Sequence, residues 1–138
     1  MAMTNELREN IVWMLQLIEP EYEPTISYKV ASDDAMYPHV VYDIVTTVPN
    51  DMGREDYVLD IHIWDKFPYR AYEILDAYKE IFAFRNDPSS GSNILPTFYE
   101  TSSGAIDDPD KTITHLVLRL QVQVYQRTAT DRGILERS

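Results

Sequence analysis

With 138 residues, 44% of them hydrophobic and 12% aromatic, the chain can bury a core as one domain without a covalent staple, and it is too apolar to be disordered. It holds no cysteine, which excludes disulfide and thiol chemistry and leaves any zinc site to histidine and carboxylate alone. A net charge of −11 argues against gripping nucleic acid by its phosphates, which takes clustered Lys and Arg; it suits plain solubility, or the border of a path along which DNA slides without sticking.

In chain order, the first predicted element is a helix over Thr4–Ile18. Thr4 is its N-cap, Glu6 sits in the first turn, and Leu7, Ile11, Met14, Leu15 and Ile18 recur on one stripe. Trp13 and Leu17 widen that stripe, and Pro20 and Pro24 are expected to end the helix. Glu6, Glu9 and Glu19 interrupt the apolar run, so no secretory leader is expected, and no stretch is long and apolar enough to span a membrane.

Thr25–Val30 alternates weakly and predicts a short edge strand. His39–Val48 is apolar on both faces and predicts a central one. A polar, Gly-containing turn over Pro49–Glu55 links it to Tyr57–Trp64, so the two form a β-hairpin. In that second strand Tyr57, Leu59, Ile61 and Ile63 share one face, while Asp60, His62 and Trp64 share the other. The period then becomes helical from Tyr69 to Phe84, with Ala71, Ile74, Leu75, Tyr78, Ile81 and Phe82 on one stripe. Asn86–Asn93 is read as a loop and Ile94–Thr101 as an edge strand holding Pro96. Ser102–Lys111 is read as an acidic loop. Thr114–Tyr125 is the cleanest strand, with Leu116, Leu118, Leu120, Val122 and Val124 alternating against His115, Arg119, Gln121 and Gln123.

The expected architecture is therefore α+β: a single antiparallel sheet of four or five strands, with two helices packed on one face. One domain over residues 1–127 and a flexible tail over 128–138 complete it.

Residues that carry chemistry are sparse. Asp60 and His62 share a strand face, and with His115 on a nearby strand two histidines and an aspartate could hold a metal; polar residues on a strand's solvent face are the ordinary alternative. Asp107, Asp108 and Asp110 lack the spacing of a calcium loop. There is no nucleophile elbow, and four isolated glycines cannot cradle a phosphate. No catalytic, cofactor or metal residue is assigned, and no enzyme activity is expected. Trp64 either packs against the helix start or meets another subunit, and Gln121 and Gln123 are either solvated or in contact with a neighbour.

Three stretches together resemble the tail-completion proteins of long-tailed phages and prophages, the head–tail joining and tail-terminator family. They are Tyr37-Pro38-His39-Val40-Val41-Tyr42, then Val58-Leu59-Asp60-Ile61-His62-Ile63-Trp64-Asp65 running into the helix Ala71–Phe82, and the closing strand His115–Tyr125. In that family an opening helix precedes a Tyr-Pro-x-Val strand, a Val-x-Ile-x-Val-Trp strand leads into a helix, and a long alternating strand closes the domain. The match spans residues 5–127; the acidic loop near Asp107 and the Arg-containing tail have no counterpart in the pattern.

The resemblance implies a virion protein without catalytic residues or cofactor, made in the host cytoplasm. It would assemble as a homo-oligomeric ring, commonly a hexamer, that caps the tail tube and meets the tail-tube and head-connector proteins. DNA would pass through the ring without specific binding, and no membrane would be involved. The surfaces expected to make ring or partner contacts are Asn50, Asp51, Met52 and Arg54 at the hairpin tip, with Trp64, Gln121 and Gln123 on the sheet. A binding module for a peptide or small ligand, or a small hydrolase built around His62, are the competing readings.

Overall fold

A computed structural model describes residues 2–29, 36–49, 54–83 and 94–126. Five strands among them form one open sheet in the order β1-β2-β3-β5-β4: β1 Thr25–Tyr28, β2 His39–Pro49, β3 Arg54–Asp65, β4 Ile94–Ile106 and β5 Thr114–Gln126. The helices are α1 Ala2–Leu15, a 3-10 turn Gln16–Ile18, the single turn α2 Glu19–Tyr22, and α3 Pro68–Ile81. The expected α+β class and the placement of both main helices against one sheet face hold. The hairpin tip 50–53, the stretch 84–93 and the tail 128–138 lie outside the described residues.

The pleat sets the core. Every second residue of β3 (Tyr57, Leu59, Ile61, Ile63) and of β5 (Leu116 to Val124) points to the helix-covered face and is fully or almost fully buried. Val40, Tyr42 and Ile44 of β2 and Phe98 of β4 continue that face, since Tyr42 stands opposite Ile61 and Phe98 opposite Val122. Onto it α1 lays Leu7, Ile11, Met14 and Leu15, and α3 lays Ala71, Ile74, Leu75 and Tyr78, forming one continuous cluster. The Tyr78 hydroxyl donates to the Leu15 carbonyl at 3.0 Å and ties the end of α1 to α3.

Four expectations are corrected. The sheet is mixed, not wholly antiparallel, because β1 runs parallel to β2, with Thr25 opposite His39 and Tyr28 opposite Tyr42. The connection over residues 29–38 is long enough to carry the chain back to the same end, whereas tight turns enforce antiparallel pairing. The first helix starts at Ala2, so Thr4 lies inside it and is not its N-cap. Pro20 does not stop the helix; it sits in the first turn of α2, where its missing N–H costs nothing. The stop comes at Glu23, in the left-handed conformation with φ 49° and its N–H bonded to the Glu19 carbonyl. Finally, Ser102–Ile106 is strand, not loop: β4 continues past a register shift at Glu100/Ser102, and Ser103 to Ile106 pair with Leu118 to His115. Pairing with the long β5 overrides the weak strand preference of Ser-Ser-Gly. Pro96 lies on an edge strand, as expected, where a missing donor is tolerated.

Candidate functional site

One sheet face carries the helices; the other carries none among the described residues. Register places its side chains in rows that cross the strands. The first row is His39–Trp64–His115–Ile106, the second Val41–His62–Val117–Gly104 and the third Asp43–Asp60–Arg119–Ser102. Further along lie Gln121, opposite Val58 and Tyr99, and Gln123, opposite Asp56 and Thr97.

All three histidines of the chain meet in the first two rows. Trp64 stacks on His115 at 4.2 Å between centroids and 21°, and on His62 at 5.5 Å and 20°. His39 packs against the other side of Trp64 at 5.1 Å and is itself stacked on Tyr37 at 5.0 Å. The Trp64 indole N–H donates to Asp108 at 3.3 Å, so the loop after β4 is pinned over the cluster. His62 Nδ1 and His115 Nε2 are 2.8 Å apart, a hydrogen bond that needs one ring to donate and the other to accept. Lys66 lies 5.4 Å over the Tyr37 ring and closes that end.

Burial lowers the pKa of all three histidines from the ordinary 6.5. For His62 the nearby Asp60 and Asp43 oppose the shift, and for His115 Asp108 opposes it, but desolvation is the larger cause in each. At neutral pH the patch is thus a set of uncharged, stacked rings. The buried Nδ1 of His39 finds no hydrogen-bond partner among the described residues.

The aspartate of the imagined metal set is engaged elsewhere. Asp60 receives two hydrogen bonds from Arg119, at 2.7 and 3.0 Å, across one rung of the sheet. His62 and His115 do come together, as a hydrogen-bonded pair, and no group of three metal-ligating side chains exists among the described residues. Shallow grooves lined by Gln16, Glu19 and Glu23, and by Val58, Thr101, Arg119 and Gln121, contain no histidine.

Of the expected contact residues, Trp64 is half-buried at the centre of the ring cluster, Gln121 is exposed and Gln123 half-buried on the same face. Arg54 opens β3 opposite Tyr125, far along the strand from Trp64. Asn50, Asp51 and Met52 lie outside the described residues. Sequence reasoning placed His62, Trp64 and His115 on strand faces but missed His39 and Tyr37 as their neighbours. Alternation gives a residue's face, not the rung opposite which it stands.

Among the solved structures that share this fold are two particles' proteins. One is a chain of the virion of a native gene transfer agent particle, 13% identical, with a TM-score of 0.57 over 89% of this chain and 91% of that one. The other is the gp17 protein of bacteriophage SPP1, 19% identical, with a TM-score of 0.52 over 93% of this chain and 92% of that one. No protein-family model matches the sequence, and no curated protein matches it.

Proposed function

We propose that this protein is a structural component of a phage or prophage particle that works as a homo-oligomeric ring at the head-proximal end of the tail. There it caps the tail tube or joins it to the head, and it is not an enzyme. One observation above all supports this reading: the fold shared with gp17 of bacteriophage SPP1 runs through nearly the whole of both chains. The likeness to a gene transfer agent virion chain points the same way. The sequence resemblance to tail-completion proteins, carried by β2, β3, α3 and β5, agrees with it.

The chemistry of the chain fits a role without catalysis. The partner of His62 Nδ1 is a second imidazole, not a carboxylate that would orient and polarise it as a general base. The carboxylate beside it is neutralised by Arg119. A net charge of −11 suits a channel wall that DNA must pass without binding.

The test is genetic and visual. Deleting the gene from the phage that encodes it should give tails of uncontrolled length, or filled heads and tails that do not join, in electron micrographs. Normal infectious particles from the deletion would overturn the proposal.

A further inference from the structure

The charge on this molecule is unevenly placed. The helices carry seven carboxylates against three basic side chains. Two of those three bases, Arg70 and Lys79, are engaged by Asp65 and Glu100. Like-charge repulsion disfavours a contact between two such helix layers. The uncovered sheet face differs. Its first two rows hold no formal charge while the histidines are neutral, and they present Trp64, Val117 and Ile106, the last 40% exposed, with Tyr37 stacked on His39 at their edge. Gly104 leaves the floor beside Val117 bare, with nothing within 4 Å of where a Cβ would stand.

Charges of both signs border the patch: Asp43 with the Asp60–Arg119 pair on one side, Lys66 and Asp108 on the other. An apolar, ring-rich centre with a mixed-charge rim is the composition of a protein–protein contact. The whole face, some five rows of side chains across β2, β3, β5 and β4 with strands about 4.8 Å apart, presents roughly 600–700 Å², close to the ~800 Å² per partner of a standard interface, and the uncharged patch fills its Trp64 end.

We infer that the uncovered sheet face, through the ring cluster around Trp64 at one end of it, is a contact surface for a second copy of this chain, and that the contact forms only while His39, His62 and His115 are uncharged. The occupant follows from charge: the matching face of a copy brings the same uncharged centre and a rim able to pair Lys66 with Asp43 or Asp108, whereas its acidic helix layer would set excess carboxylates against the Asp43, Asp60 and Asp108 already at the rim. The protonation requirement follows from geometry. The His62–His115 hydrogen bond needs an acceptor nitrogen, and both rings lose theirs when both are protonated. Covering the patch also desolvates any imidazolium left in it, which costs more than the neighbouring Asp43, Asp60 and Asp108 recover from the surface. Burial in the single chain already favours the neutral rings. A face that meets its own copy closes as a two-fold pair and cannot by itself build a ring, so this contact goes beyond the ring reading: it would join two subunits, or two rings, face to face.

Sedimentation velocity on the full chain, from about 10 µM to about 1 mM at constant ionic strength, reads the association directly. Measured near neutral pH and again about one unit below the imidazole midpoints of the folded chain, which lie below 6.5, the association constant should fall about tenfold or more on acidification. Nonspecific association driven by loss of net charge moves the other way, strengthening toward the isoelectric point near 4.5. At the higher pH, Ile106→Glu on the exposed edge should weaken association by a similar factor, and Tyr69→Glu on the helix layer, where the ring is 88% exposed, should leave it unchanged. Trp64→Ala repeats the test at the centre, with circular dichroism as the folding control.

A chain that stays monomeric throughout, association that strengthens on acidification, or association lost in Tyr69→Glu but kept in Ile106→Glu would each overturn the inference. None of these results bears on tail length in the gene deletion, so the ring reading stands or falls separately.

Discussion

Asp65 shows how much one side chain can organise. It ends β3 wholly buried, accepts from the Phe67 N–H at 3.1 Å, and accepts two hydrogen bonds from Arg70 at 2.5 and 2.7 Å. It thereby holds the strand-to-helix joint that aims α3 back across the sheet. Asp65→Ala should cost about 2–4 kcal/mol in urea unfolding, because charged hydrogen bonds are lost while Arg70 remains partly exposed and rehydrates. The histidines make a second prediction at this scale. Their folded pKa values are lowered, so all three imidazole titrations followed by NMR should have midpoints below 6.5. The unfolded chain takes up those protons at the ordinary value and the folded chain only at lower pH. Across the interval between, the unfolded state binds more protons, so these groups make folding stability fall as pH drops below about 6.5. Urea midpoints at fixed ionic strength check the sign.

At the scale of elements, β5 is the spine. It pairs with β3 along its whole length and with β4 on the other side, and its buried stripe faces α3. Leu120 is 2% exposed in the middle of it. Leu120→Ala should destabilise by about 2–5 kcal/mol, the range for a leucine cavity in a packed core. Tyr78→Phe keeps the ring but leaves the Leu15 carbonyl without its donor, and should cost about 1–2 kcal/mol by the same measurement. The elements that sequence reading caught were those whose period is enforced by burial: β3, α3 and β5 fell within a few residues of their predicted bounds. The missed ones lack such enforcement. Ser102–Ile106 has almost no apolar alternation, and only the neighbouring β5 makes it a strand. The start of α1 was placed at a residue able to cap, while the helix runs through it.

For the whole molecule the deciding quantity is charge against contact area. With a net charge of −11, two chains repel at long range, and salt screens that repulsion within about 8–10 Å at physiological strength. Self-association through the uncovered face should therefore strengthen as salt rises from about 10 mM to about 150 mM, measured by sedimentation at neutral pH. Association that weakens instead would mean that ion pairs, not stacked rings and shape, carry the contact. The candidate patch was only half legible in advance. Trp64, Gln121 and Gln123 stand out in the sequence on the polar face, and His62 and His115 as possible neighbours there, but nothing in it brings His39 and Tyr37 beside them.

The sequence by itself determined the helical and strand periods, and with them which side of β3 and β5 turns inward; a one-residue slip would have put every core side chain of those strands in water. It also determined the absence of thiol chemistry and the acidic balance. Only the tertiary structure decided the strand order and the parallel placement of β1, because both depend on where a connection lands rather than on local pattern. It alone decided that Trp64 stands between His39 and His115 while Asp60 faces Arg119. Those pairings arise where residues far apart in the chain reach the same rung of the sheet, and no local periodicity encodes that meeting.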